Sequence, residues 1–176
     1  MNLLPLDRML NGLPAISPIF AAFLWEACLA CLDHNDHLPK ADLTILGDQE
    51  IEYQLISYEA IDDQLRNTWS DPTEATEYGA TCLAVLLVLE VTDYTVVRRS
   101  VKGTGFDYWL GHASGDFPFQ DTARLEISGI LSGDMKALLR RVKAKKKQTE
   151  RSDHLGLPAL IIVSEFRNLI MYIAAK

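Results

Sequence analysis

Three carboxylates in the middle of this chain stand where the surrounding pattern gives them something to do: Glu77, Asp107 and Glu126. In Gly105-Phe106-Asp107-Tyr108-Trp109-Leu110, strand alternation sends Phe106, Tyr108 and Leu110 one way and Asp107 and Trp109 the other. The stretch from Ala123 repeats the arrangement, with Ala123, Leu125, Ile127 and Gly129 on one side and Arg124, Glu126 and Ser128 on the other. A carboxylate between large apolar neighbours costs free energy unless its charge is compensated. A basic partner, a hydrogen-bond network or a metal ion would each serve. Arg124 offers Glu126 a local ion pair, but two strands that each bring one acid to adjacent faces point to a shared role. Glu77 lies on a helix opened by Asp71-Pro72-Thr73-Glu74, with Asp71 as cap, Pro72 in the first position and Glu74 as a capping-box partner. Glu74 is accounted for by the helix dipole, worth about 0.3–1 kcal/mol. Glu77 stands at the edge of that effect and is the better functional candidate.

Holding these acids requires an ordered run of elements. Residues 71–89 read as a helix, and residues 94–100, 104–111 and 122–131 as three strands, the first dense in β-branched side chains. Gly133-Asp134 opens a second helix with Leu138, Leu139 and Val142 as its apolar stripe. Lys136, Arg140, Arg141, Lys143, Lys145, Lys146 and Lys147 make it the only strongly basic element. Phosphate contacts through these side chains would weaken with added salt. The apolar run at 158–163 reads as a buried strand and residues 166–175 as a closing helix. Ahead of this unit come an amphipathic segment stopping at Asn11-Gly12, a helix opened by Ser17-Pro18, a hairpin turning at Gly47-Asp48-Gln49, and a short helix over 61–69. With no Gly/Ser linker between them, residues 1–70 are expected to form an α+β extension packed on a core of residues 71–176.

The whole-chain numbers narrow the classes. At 176 residues roughly two thirds of the unfolded surface can be buried, so neither disulfides nor a structural metal is needed. Three cysteines do not make a secreted framework, and a reducing cytoplasmic setting is expected. The apolar run at 14–32 contains Glu26 and begins with two prolines, so a buried helix fits it better than a membrane span or a signal peptide. Cys28, Cys31, His34 and His37 recur every three residues, but that spacing drifts by about 60° per step around a helix, which suits buried cysteines and exposed histidines better than zinc. The net charge of −7 hides an uneven distribution: residues 1–90 carry three Lys/Arg and fifteen Asp/Glu, residues 91–176 fourteen and nine. A basic half beside an acidic one suits a protein that meets a polyanion with one face, or two halves that attract each other.

Helix, strand, strand, strand, helix, strand, with Gly105-Phe106-Asp107 in the second strand and Leu125-Glu126-Ile127-Ser128 in the third, resembles the PD-(D/E)xK nuclease superfamily. The resemblance covers about residues 71–165 and implies an α/β restriction-endonuclease-like core, a mixed central sheet flanked by helices. It further implies that Asp107 and Glu126 hold Mg2+ or Mn2+, with Glu77 binding the ion through water or orienting the nucleophile. Such an ion favours oxygen ligands and a substrate phosphate, stabilises charge at phosphorus and helps generate hydroxide. One position departs from the pattern: the lysine expected two residues after the glutamate is Ser128. Arg124, Lys102 and Lys136 are the substitutes within sequence reach.

The function implied by the resemblance is metal-dependent hydrolysis of phosphodiesters, as a DNA endonuclease of the kind used in prokaryotic defence or restriction. A homodimer or a partner subunit would engage through residues 1–70. The alternative is a catalytically inactive fold of the same kind that binds nucleic acid or protein. A plain structural protein would leave Asp107 paired with an arginine.

Overall fold

The three capping residues expected from the sequence do start their helices. Ser17 accepts from the Phe20 N–H ahead of α1 (Pro18–His34), Asp71 from Thr73 and Glu74 ahead of α3 (Pro72–Val91), and Asp134 from Ala137 ahead of α4 (Met135–Thr149). A computed structural model describes residues 2–176. These helices, with the short α2 (Asp63–Thr68), flank one mixed sheet of eight strands. In chain order the strands are β1 (Asn2–Pro5), β2 (Asp42–Leu46), β3 (Ile51–Ile56), β4 (Tyr94–Arg99), β5 (Tyr108–His112), β6 (Ala123–Ile130), β7 (Ala159–Glu165) and β8 (Ile170–Ala175). Across the sheet they run β1-β3-β2-β8-β7-β6-β5-β4.

The pattern of each strand follows from what covers it. α1 and α3 pack on each other and on one face, where Leu43, Leu55, Leu110, Leu125 and Ile162 meet the helix side chains in the main core. α4 covers the other face only over β6, β7 and β8, through Leu138 and Val142 against Ala159, Ile161 and Val163. β2 and β3 therefore alternate buried and accessible residues, whereas β6 and β7 are buried almost throughout. α3 is apolar all round because it is wedged between α1 and the sheet. No helix among the described residues is long and apolar enough to cross a membrane.

One expectation changes here. Residues 166–175 are not a helix: after a tight turn, β8 runs antiparallel to β7 from Leu160↔Ala175 to Glu165↔Ile170. The turn is stabilised by buried Glu165, whose carboxylate accepts from the N–H groups of Gly133, Arg167 and Asn168. The strands of residues 1–70 join the same sheet. β2 pairs in parallel with β8, so the hairpin of β2 and β3 extends the same sheet.

β4, β5 and β6 form an antiparallel meander, and α4 carries the chain across to β7, parallel to β6. β5 pairs with β6 only over Tyr108↔Leu125 to Leu110↔Ala123. Beyond that point the two strands separate and β6 continues alone on that side. Gly129, on this free stretch, lets α3 approach: a Cβ there would lie 2.6 Å from both the Thr76 backbone oxygen and its methyl carbon. Gly129→Ala is expected to lower stability by about 1–3 kcal/mol, the usual cost of overpacking. A urea midpoint unchanged from the native protein would show that α3 has slack.

Candidate active site

Where β5 and β6 part, a cleft of about 770 Å³ opens between α3 and α4. Thr76, Glu77 and Tyr78 line it from α3, Arg141 and Lys145 from α4, and Asp107, Tyr108 and Arg99 from the β4–β5 side. Asp107 sits one residue before β5 rather than within it. Its main chain still continues the ladder, donating to the Leu125 carbonyl and accepting from Ser100. The register carried one step on from Tyr108↔Leu125 sets Asp107 opposite Glu126. The two acids thus share the α4 face, as strand alternation predicts. Gly105 permits this approach: it adopts φ +88°, and a Cβ there would lie 2.5 Å from the Gln148 carbonyl of α4.

Asp107 Oδ2 accepts from the Ile127 N–H at 2.8 Å, taking the donor that a paired strand would otherwise have used. Glu126 is 1% exposed. Its Oε1 accepts from Lys145 Nζ at 2.6 Å and from Gln148 Nε2 at 2.9 Å, while buried Oε2 has no hydrogen-bond donor. Each carboxyl group is close enough to feel the charge of the other. Burial pushes Glu126 up to about 7, the adjacent Asp107 charge adds to the rise, and Lys145 opposes it. Burial raises Asp107 as well, against the Ile127 N–H and Lys145, which lower it. Two acceptors placed together with no donor between them call for a shared proton or a cation.

The other expected site residues fall differently. Glu77 stands exposed on the α3 wall, and no three His, Cys, Asp or Glu side chains gather into a metal-holding group among the described residues. The expected trio is therefore a pair with a third acid across the cleft. The position of α3 explains this, because it packs on the sheet face opposite α4 and brings Glu77 only to the rim. Arg124 shares a strand face with Glu126 but does not pair with it. Its guanidinium is buried against the Ser152 hydroxyl at 2.6 Å, the Leu157 carbonyl at 2.7 Å, the Thr149 carbonyl at 3.2 Å and Asp153 at 3.4 Å. That network anchors the segment after α4 and lies outside the cleft. Ser128 is at the cleft, where its hydroxyl accepts from Arg141 Nη1 at 2.8 Å; Arg141 also bonds the Gly129 carbonyl. Lys102 and Lys136 are exposed and do not line the cleft, and neither do Arg140, Lys143, Lys146 and Lys147.

Lys145 and Gln148 are the contributors that sequence reasoning placed elsewhere or passed over. Leu138, Arg141, Lys145 and Gln148 recur at spacings of three and four, so they share the face of α4 that rests on β6. A lysine in phase with the apolar stripe was the signal available. The cysteines are free and buried, and His37 Nε2 lies 2.6 Å from the Phe166 carbonyl. No family model, curated protein or solved structure matches the chain.

Proposed function

We propose that the chain is a metal-dependent phosphodiester hydrolase acting on nucleic acid, built on a restriction-endonuclease-like core of α3, β4, β5, β6, α4 and β7. The observation that carries this reading is the pair of Asp107 and Glu126, two acids opposite each other on one sheet face beside a cleft lined by Arg99, Arg141 and Lys145, one oxygen of Glu126 lacking any donor. The pair fits Mg2+ or Mn2+, which takes one or two carboxylates and fills its remaining positions with water and substrate phosphate. Bound there, the ion would stabilise charge at phosphorus and lower the pKa of a coordinated water.

The chain's own groups supply the rest. The Ile127 N–H fixes the Asp107 carboxylate, and Gln148 with Lys145 fixes that of Glu126. Lys145 reaches this glutamate from the following helix, so a lysine is present at the acid pair although Ser128 stands at the expected position. Its ammonium and the Arg141 guanidinium would meet the phosphate oxygens. In the reaction a water oxygen bonds to phosphorus, the ester P–O bond breaks, and the leaving oxygen takes a proton while the attacking water gives one up. Glu77, on the opposite wall, would orient that water.

Incubating plasmid and single-stranded DNA with the protein and Mn2+ tests the reading. Lys145→Met is expected to slow cleavage roughly 10²–10³-fold, the usual effect of losing one preorganised donor. Neutralising exposed Lys146 and Lys147 should change only the salt dependence of binding. Cleavage by Lys145→Met at the native rate would sink the assigned role, and no cleavage with any divalent ion would sink the hydrolase.

A second reading, an inactive fold of the same type serving as a binding subunit, is favoured by one feature: Lys145 already compensates Glu126, and Glu77 stands apart. Calorimetric titration with Mn2+ separates the two. The hydrolase binds the ion and loses it in Asp107→Ala, whereas the binding subunit takes up none.

A further inference from the structure

We propose that a ribbon of aromatic rings leading out of the cleft onto α1 is a track for unpaired bases, so that the protein takes single-stranded rather than duplex nucleic acid. This deepens the proposed function and rests on its placement of nucleic acid in the cleft. The ribbon starts at Tyr78 and Tyr108, which both line the cleft. Tyr78 packs edge-on to Phe23, with ring centres 4.8 Å apart at 75°. Phe23 and Phe20, three residues apart on α1, lie with centres 5.9 Å apart and planes within 15°. Arg99 bridges cleft and ribbon, its guanidinium carbon 6.0 Å from the Tyr108 ring centre and 5.6 Å from that of Phe20.

Core packing alone does not account for this arrangement. Phe23 is 40% exposed and the adjoining Ile19 is 87% exposed, although α1 has a fully buried face available through Leu24, Cys28 and Cys31. Exposed Phe23, flanked by half-buried Phe20 and Tyr78 and linked by Arg99 to a cleft that holds further cations, suits a single strand: a base can stack on the free ring while the backbone follows the positive charge. A duplex hides its base faces and cannot use the rings. The recess also disfavours a duplex, because Asp107 lines a cleft of about 770 Å³, within the range of small-molecule pockets, roughly 300–1,000 Å³. Exposed Glu77 on the α3 wall repels a phosphate path on that side. The backbone is left to Arg99 and Arg141, with the bases turned toward α1.

Fluorescence anisotropy of the full chain in EDTA, where hydrolysis is stopped, tests the track with a labelled oligothymidylate of about 15 nucleotides, long enough for one binding site, and with a duplex of equal length. The single strand is expected to bind at least about tenfold more tightly. Phe23→Leu keeps apolar area but removes the ring face, and should weaken single-strand binding by roughly 5- to 100-fold while leaving duplex binding unchanged and the protein folded, with a lower melting temperature from the lost packing on Tyr78 and Trp69. Arg99→Gln should weaken single-strand binding as well. Duplex binding as tight as single-strand binding, or Phe23→Leu binding like the native protein, overturns the track. Binding of neither form also overturns it. Tight single-strand binding without cleavage in Mn2+ supports the track and sinks the hydrolase reading alone.

Discussion

Glu126→Gln is expected to lower Mn2+-supported cleavage by roughly three orders of magnitude, the loss that follows when several kcal/mol of transition-state charge stabilisation is removed. The same change should alter how the ion-free protein responds to pH, which gives the prediction a readout independent of catalysis. The folded-state pKa of Glu126 is raised from 4.5 to about 7, chiefly by burial and then by the Asp107 charge. Between these values the folded chain keeps a proton that the unfolded chain releases. Stability therefore falls as pH rises through that window, and above it the whole cost of the buried anion is present. A shift of this size sets that cost at up to about 3 kcal/mol. Glutamine has no proton to lose, so the variant's stability should fall less over the same range, with only the raised Asp107 left to contribute. Added Mn2+ should recover stability at pH 8 in the native protein only, because an ion bound to the folded state alone raises stability by mass action. Thermal melts from pH 4.5 to 8, with and without Mn2+, measure both effects. A native profile as flat as that of the variant would mean that Glu126 is not the strained acid described here, and native-rate cleavage by the variant would remove it from the chemistry.

Arg124→Ala should do the reverse and damage the fold rather than the chemistry. Its guanidinium holds the Thr149 and Leu157 carbonyls and the Ser152 hydroxyl, and its removal leaves the part-buried Leu157 carbonyl and the buried Ser152 oxygen without their donor and the Thr149 carbonyl with Ser152 alone. Each such group costs about 1–3 kcal/mol, and partial access of water limits the total to about 3–4 kcal/mol. Denaturant unfolding measures the loss. At a temperature where the variant remains folded, its cleavage rate should stay within a few-fold of the native rate. A stable variant with no activity would return Arg124 to the catalytic role that its place beside Glu126 first suggested.

These two residues show what the sequence made legible. Period-two alternation in β5 and β6 sufficed to send Asp107 and Glu126 to one face, because alternation is a local property of extended backbone. The same rule put Arg124 there but could not show what that face meets at its other end, where the segment after α4 supplies the acceptors. Lys145 lies nineteen residues from Glu126, and its approach depends on the rotational phase of α4 against β6. That phase was written in the spacing of Leu138, Arg141, Lys145 and Gln148 and masked by the density of lysines around them. The distance of Glu77 from the pair has a related cause: the acidic first turn of α3 was readable, but which face of the sheet α3 covers was not. The segment that became β8 has the composition of an apolar helix, and only the carboxylate of Glu165 gathering the N–H groups of Arg167 and Asn168 turns the chain back as a strand.

The place of β8 between β2 and β7 bears on how the molecule assembles. The hairpin of β2 and β3, made early in the sequence, has no edge to join until the last strand in chain order has lined up against β7. During synthesis the meander and its crossover helix can collapse on α3 at once, whereas β1, β2 and β3 must wait with their hydrogen-bonding edge unused. Such long-range closure slows folding and leaves a pairing edge open to neighbouring chains. Kinetic vulnerability is thus concentrated in the first seventy residues, at the far end of the sheet from the acid pair.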